Sequence, residues 1–291
     1  MHLYLKSIGF SEIDTRDQLY DLIRDVVEHH DEKFVINDAE DGQFVEYIKY
    51  YADGCGISVC GSLDKTNQFH VEFHYPLFRG NIITTQEPVT VERFIANRSY
   101  AGACDDLRVG VTLIFFLQSP VQFMIHDQGK ESVQFPLTIT GLAREGTILL
   151  PLEKDKEAVR AEKELSKARN ELIAAAMDGD EDAMESLTME DMDTYSMISE
   201  RIGKEDVLSI VDSYFMPYGL ECDQYNMLGE IVELESIQNQ RTKEWLYLLR
   251  VECNDILFDI CINQKDLWGE PMVGRRFKGI IWLQGQLHHD Q

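Results

Sequence analysis

"EKDKEAVRAEKELSKARNELIAAAM", residues 153–177, divides the chain, because it contains no Gly, Pro or aromatic residue and is built from strong helix formers. Small or apolar residues recur along it at Ala158, Ala161, Leu165, Ala168, Leu172 and Ala175 in steps of three and four, a coiled-coil-like seam. Arg160 and Glu164, and Lys167 and Glu171, stand four apart on the remaining, charged surface. The next stretch, "DGDEDAMESLTMEDMDTYSMISERI" (178–202), continues as shorter helices. The expectation is a central helical hairpin over 153–202 within a monomer, with the helix at 153–177 as the alternative dimer interface.

Upstream of Leu152 the pattern is that of strands. "FVEYIKYYA", "GISVCGSL", "FHVEFHYPLF", "VTVERFI", "RVGVTLIFFLQ", "VQFMI" and "VQFPLTITGL" are β-branched or aromatic and separated by Gly, Asn and Asp turns. Few helical runs intervene, so the sheet is expected to be mainly antiparallel. Val111–Leu117 lacks polar alternation and reads as a central strand buried on both faces. One amphipathic helix precedes them, "DTRDQLYDLIRDVVEHH", with Asp14 or Thr15 as N-cap and Leu19, Leu22, Ile23, Val26 and Val27 at helical spacing.

Downstream, "KEDVLSIVDSYF" (204–215) reads as a helix, and four strands with tight links follow: "YNMLGEIVELESI", "EWLYLLRVEC", "DILFDICIN" and "RRFKGIIWLQGQL". The Asn254-Asp255 pair marks a hairpin turn between the second and third. A small antiparallel β-barrel is expected, with an OB-like shape lacking a clear fifth strand. The fold class is therefore α+β, in three parts: 1–152, an antiparallel sheet with a covering helix; 153–202, a helical connector; and 203–291, a small β domain with one leading helix, expected to fold independently.

Composition narrows the function. Lys and Arg number 27 against 52 Asp and Glu, a formal net charge of −25. A chain this acidic repels phosphates, which sets aside nucleic acid and anionic membrane surfaces as partners. The start "MHLYLKSIGF" has no basic segment followed by a long apolar run, and no later run reaches the length of a membrane span, so the reading is cytoplasmic. Six cysteines sit in strand-like segments without a CxxC pair, as expected of reduced, buried thiols.

Candidate chemistry is sparse. His70, Glu72 and His74 alternate along one predicted strand, and metal ligation is the sharp reading. Successive same-face positions on a strand lie roughly 7 Å apart, so the two histidines stand too far apart for one ion, and the face reads as the wet side of a sheet. Cys60, with a nearby histidine as base, is the alternative for a cysteine-dependent enzyme. Residues 178–190 place Asp178, Asp180 and Asp182 as a calcium loop would. Ala183 stands where such a loop needs Gly, and Met189 where it needs Glu. Trp245, Tyr247 and Trp282 are the candidates for lining a small-ligand pocket in the C-terminal barrel. No cofactor is implied.

The segments "MDGDEDAMESLTMEDMDTYSMISERI" (177–202), "EDVLSIVDSYFMPYGLECDQYNMLGEI" (205–231) and "GEPMVGRRFKGIIWLQGQL" (269–287) resemble an uncharacterised family of cytoplasmic proteins from clostridial Firmicutes. The resemblance implies no activity, cofactor or catalytic residue. The reading that best fits the residues is a non-catalytic acidic interaction or scaffold protein with a protein partner. A metal-assisted or cysteine-dependent enzyme and a small-ligand module are the alternatives.

Overall fold

The computed structural model describes residues 3–38, 42–94, 97–106, 108, 111–126, 132–152, 211–219 and 222–288, together with single positions and short pieces between 168 and 208. Helix α1, Arg16–Glu28, starts where the sequence signals it. The Thr15 hydroxyl accepts from the Gln18 amide, and the Gln18 side chain reaches back to the Thr15 amide, a reciprocal capping box. Leu22, Ile23 and Val26 form its buried stripe.

That stripe lies on a four-stranded antiparallel sheet of β1 (Glu32–Asp38), β2 (Gly42–Ala52), β3 (Cys55–Leu63) and β4 (Phe69–Phe78). Strand β2 is buried on both sides, with Val45 and Tyr47 alternating with Phe44, Glu46 and Ile48. Below the sheet lies a second, larger one. Its strands are β5 (Val89–Arg93), β6 (Tyr100–Asp105), β7 (Thr112–Leu117), β8 (Ser132–Val133), β9 (Leu137–Leu149), β10 (Tyr214–Pro217), β11 (Gln224–Gln238), β12 (Trp245–Cys253), β13 (Ile256–Asn263), β14 (Leu267–Trp268) and β15 (Arg276–Leu287).

Five of these close into a barrel in the order β11, β12, β13, β9, β15 and back to β11. The fifth strand, absent from the sequence reading of the C-terminal part, is β9. It pairs antiparallel with β15 from Arg276↔Leu149 to Leu287↔Leu137, and parallel with β13 from Asp259↔Thr140 to Ile262↔Ala143. The boundaries near 152 and 203 therefore separate stretches of sequence and not folded sheets, because the barrel draws strands from both sides of them. Its interior is a single apolar cluster including Ile139, Ile231, Leu249, Phe258, Ile260 and Phe277. The Phe277 ring occupies the space that side chains at Gly146 and Gly279 would need, with added Cβ atoms falling 2.4 and 2.6 Å from it.

From β15 the sheet continues outward through β7, β6, β5 and β8. The outer barrel wall, with Leu142, Cys261 and Trp282, packs against the small sheet, α1 and a 3-10 turn at Leu5–Ile8 in a second core.

Several expectations are corrected. "VQFMI" is not a strand but most of helix α2, Pro120–His126, whose first residue is a proline. Tyr214 and Phe215, read as the end of a helix, lie in β10. Strand β7 is not buried equally on both faces. Leu113, Phe115 and Leu117 point into the barrel-side core, whereas Ile114 and Phe116 are partly exposed. The antiparallel N-terminal sheet is present, but the chain is mostly β, and helix is a minor part of what is described. Between 153 and 207 the described positions are helical at several points from Ala168 to Met189. Of the helical hairpin expected over 153–202, residues 153–167 and 190–202 lie outside the described residues, and with them Ala158, Ala161 and Leu165 of the seam. No helix among the described residues is long and apolar enough to cross a membrane.

Candidate protein-interaction site

The turn between β13 and β15 has a well-defined backbone and an exposed apolar surface. It begins where the Asn263 side chain accepts from the Lys265 amide and caps a short 3-10 turn, Gln264–Asp266. The next two residues, β14, add in parallel to β9 through Leu267↔Gly146 and Trp268↔Thr147. Gly269 turns the chain away at φ +91, a left-handed conformation that a side chain would strain. The Arg275 amide donates to Met272 O at 3.0 Å, the Gly274 amide to Ile231 O at 2.8 Å, and the Arg275 guanidinium to Glu270 O at 2.7 Å.

On this pinned backbone Trp268 is 75% exposed, Val273 62% and Met272 47%, and neighbouring Leu150 is 72% exposed. Two depressions flank the turn. Trp268 borders a groove of about 380 Å³ with Leu149, Asn226, Lys278 and Ile280. Val273 borders a cleft of about 580 Å³ with Arg79, Leu234, Leu248, Arg250 and Asp259. Both arginines in that cleft are paired internally. Arg250 donates to Asp259 at 2.9 Å and also to Glu233 and Asn81, while Arg79 donates to Glu32 at 2.8 Å.

A further depression, about 780 Å³, lies along α1 and holds a charge cluster centred on Asp25. Asp25 accepts from Tyr51 Oη and Arg241, both at 2.8 Å, with Lys49 at 3.6 Å. Burial alone would raise the Asp25 pKa, but these donors and cations together hold it below the ordinary value.

The residues singled out in the sequence are dispersed. A β-bulge places Cys60 opposite Phe73 and Gly61 opposite Val71, so Glu72 is the extra residue and the alternation of His70, Glu72 and His74 is broken. His70 meets Asp64 at 3.2 Å, and Glu72 accepts from Arg98 at 2.8 Å. His74 is largely enclosed; its Nε2 has no hydrogen-bond partner, and desolvation pushes its pKa down. Among the described residues no group of three or more His, Cys, Asp or Glu is placed to hold a metal.

Cys60 is fully buried. It faces Glu46 and Ser58, whereas His74, one position further along β4 than the Phe73 it pairs with, points to the other face. Burial, reinforced by the Glu46 charge, drives the Cys60 thiol well above its ordinary pKa, the opposite of an activated nucleophile. The three aromatics share no pocket. Trp282 is buried between Tyr4 and Phe116, ring centroids 5.4 Å from each, and donates to Asp223 at 2.6 Å. Tyr247 accepts from Gln264 at 3.0 Å, and Trp245 lines a separate cleft of about 330 Å³.

Sequence reasoning overlooked Trp268 and Val273, although "LWGEPMVG" offered a signal: apolar residues inside Gly- and Pro-bounded turn sequence, outside any strand or helix period. It also overlooked Glu46. This carboxyl is fully buried beneath the small sheet, where its Oε1 accepts from Ser58 at 2.7 Å and Tyr75 at 3.0 Å, and Oε2 has no partner. Burial raises its pKa above the ordinary carboxyl value, against the opposing pull of those donors and Arg79.

The chain matches, over residues 5–285, the family described as "Domain of unknown function, E. rectale Gene description (DUF3881)". No curated protein and no solved structure gives a match.

Proposed function

We propose a non-catalytic role in protein–protein contact for this chain, which belongs to the DUF3881 family. The contact surface on this reading is the Trp268–Val273 turn with the groove and cleft beside it. The observation that carries the proposal is a tryptophan 75% exposed on a hydrogen-bonded turn. Exposed indole that a partner covers contributes more than almost any other side chain to binding. A backbone already fixed by β14 and the Arg275 bonds loses little freedom when it docks.

The partner on this reading is a protein, since a chain of net charge −25 disfavours nucleic acid and anionic membrane surfaces alike. The monomeric helical hairpin read from residues 153–202 belongs to the same proposal.

Trp268→Glu combined with Val273→Glu tests the reading. Both side chains are exposed, so thermal stability is expected to change by no more than about 0.5 kcal/mol. Recovery of partner polypeptides with the tagged protein from its source cells is expected to be lost. Undiminished recovery with the folded double variant would contradict the proposal.

A further inference from the structure

Cys55 and Cys261 are 206 positions apart, yet their sulfurs lie 3.6 Å from each other. Cys55 opens β3 in the small sheet and Cys261 lies in β13 of the barrel, so the pair spans the junction between the two layers. Both are buried, and the Cys261 thiol also donates to Ser7 O in the 3-10 turn that closes over it. Cys55 follows Gly54, at φ +63, and the exposed Asp53 in a hairpin end where β2 carries a bulge at Tyr51. A disulfide needs the sulfurs to close to about 2.05 Å, a movement of the size that side-chain rotation at such a hairpin end supplies.

We propose that Cys55 and Cys261 form a disulfide that locks the small sheet onto the barrel when the protein meets a low-molecular-weight disulfide. The inference is independent of the contact surface at Trp268. Cys55, next to the exposed turn, loses its proton and attacks the small disulfide, giving a mixed disulfide and releasing one small thiol. Cys261 then loses its proton and attacks the Cys55 sulfur, forming the Cys55–Cys261 bond and releasing the second small thiol. The two protein thiols are oxidised, the small disulfide is reduced by two electrons, and the two protons leave on the released thiols. The Cys261 sulfur against it, together with burial, holds the Cys55 thiol protonated, so the reaction waits on transient opening of the hairpin end and is slow.

The experiment uses the full chain carrying Cys222→Ser, since Cys222 is the exposed cysteine that would react first. Incubation of the native protein with oxidised glutathione, followed by intact mass measurement, is expected to show a loss of about 2 Da with no retained adduct, and alkylation after denaturation is expected to label three of the five remaining cysteines. Digestion should yield one linked peptide pair joining Cys55 to Cys261. The unfolding midpoint should rise by roughly 5–10 °C, because the link closes a very long loop. Cys55→Ser and Cys261→Ser should each abolish the mass loss. Linkage of other cysteines, or a Cys55–Cys261 link that appears only after denaturation, would overturn the proposal.

Discussion

A fragment comprising residues 203–291 is expected to remain unfolded, while the same fragment extended at its C-terminus by a short turn and residues 136–152 is expected to unfold cooperatively. The reason is the position of β9. Without it, β13 and β15 lose the strand between them, and the barrel opens along the full register from Arg276↔Leu149 to Leu287↔Leu137. Ile260, Ile262, Ile281 and Leu283, all fully buried, would face water or an empty slot. Each such side chain contributes about 1.5–3 kcal/mol when buried, so the loss is comparable with the roughly 5–15 kcal/mol that holds a whole domain together. Leu287 ends β15 directly opposite Leu137 at the start of β9, so the two ends to be joined are adjacent and a short linker is enough to restore the strand in the native direction. Thermal unfolding followed by circular dichroism separates the outcomes. A sharp transition in the unextended fragment would show that the barrel does not need β9.

The second large effect concerns Glu46 and pH. Its folded-state pKa is raised, first by burial, above the value it has in the unfolded chain. The stabilisation from holding it protonated is therefore complete below the unfolded value of about 4.3. It is lost as pH rises through the folded value, with a limiting slope of about 1.4 kcal/mol per pH unit between the two. Cys60, Tyr75 and Arg79 are the other titratable groups around it. The buried thiol and phenol have pKa values driven far up, and Arg79 is a permanent cation, so none changes charge between pH 5 and 8. Glu46→Gln keeps an acceptor for Ser58 and Tyr75 and removes the titration. The wild type should lose stability relative to this variant as pH is raised above 4.5, whereas Glu46→Leu should lie about 1–3 kcal/mol below Glu46→Gln at every pH, because it leaves two buried hydroxyls unpaired. Unfolding midpoints measured from pH 4.5 to 8 test this. Parallel wild-type and Glu46→Gln curves would mean the carboxyl is not held neutral.

What the sequence revealed followed its local periodicities. The capping box at Thr15, the strands β2, β3 and β4, the four C-terminal strands and the Asn254-Asp255 turn are each written within a dozen residues. "VQFPLTITGL" was also legible as a strand; its neighbours were not. Nothing within it says that it sits between two strands more than a hundred residues later, because pairing partners are fixed by the closure of the barrel and not by local pattern. Helix α2 was hidden by β-favouring Val121, Phe123 and Ile125, although the preceding Ser-Pro marked a helix start. The alternation of His70, Glu72 and His74 was real in sequence and undone by a bulge, which composition does not announce. Trp268 escaped attention because a lone aromatic in a turn has no period to betray it, and its significance lies in its exposure.

The contact role of the Trp268–Val273 turn is the central claim, and site-specific photocrosslinking tests it most directly. A photoreactive phenylalanine analogue is placed at position 268 and, as a control, at the exposed position of Lys65, and each protein is irradiated in its source cells. The account predicts discrete crosslinked polypeptides from position 268 that are absent from position 65 and that disappear when Val273→Glu is added. No crosslinks at 268, or the same pattern from both positions, would contradict it.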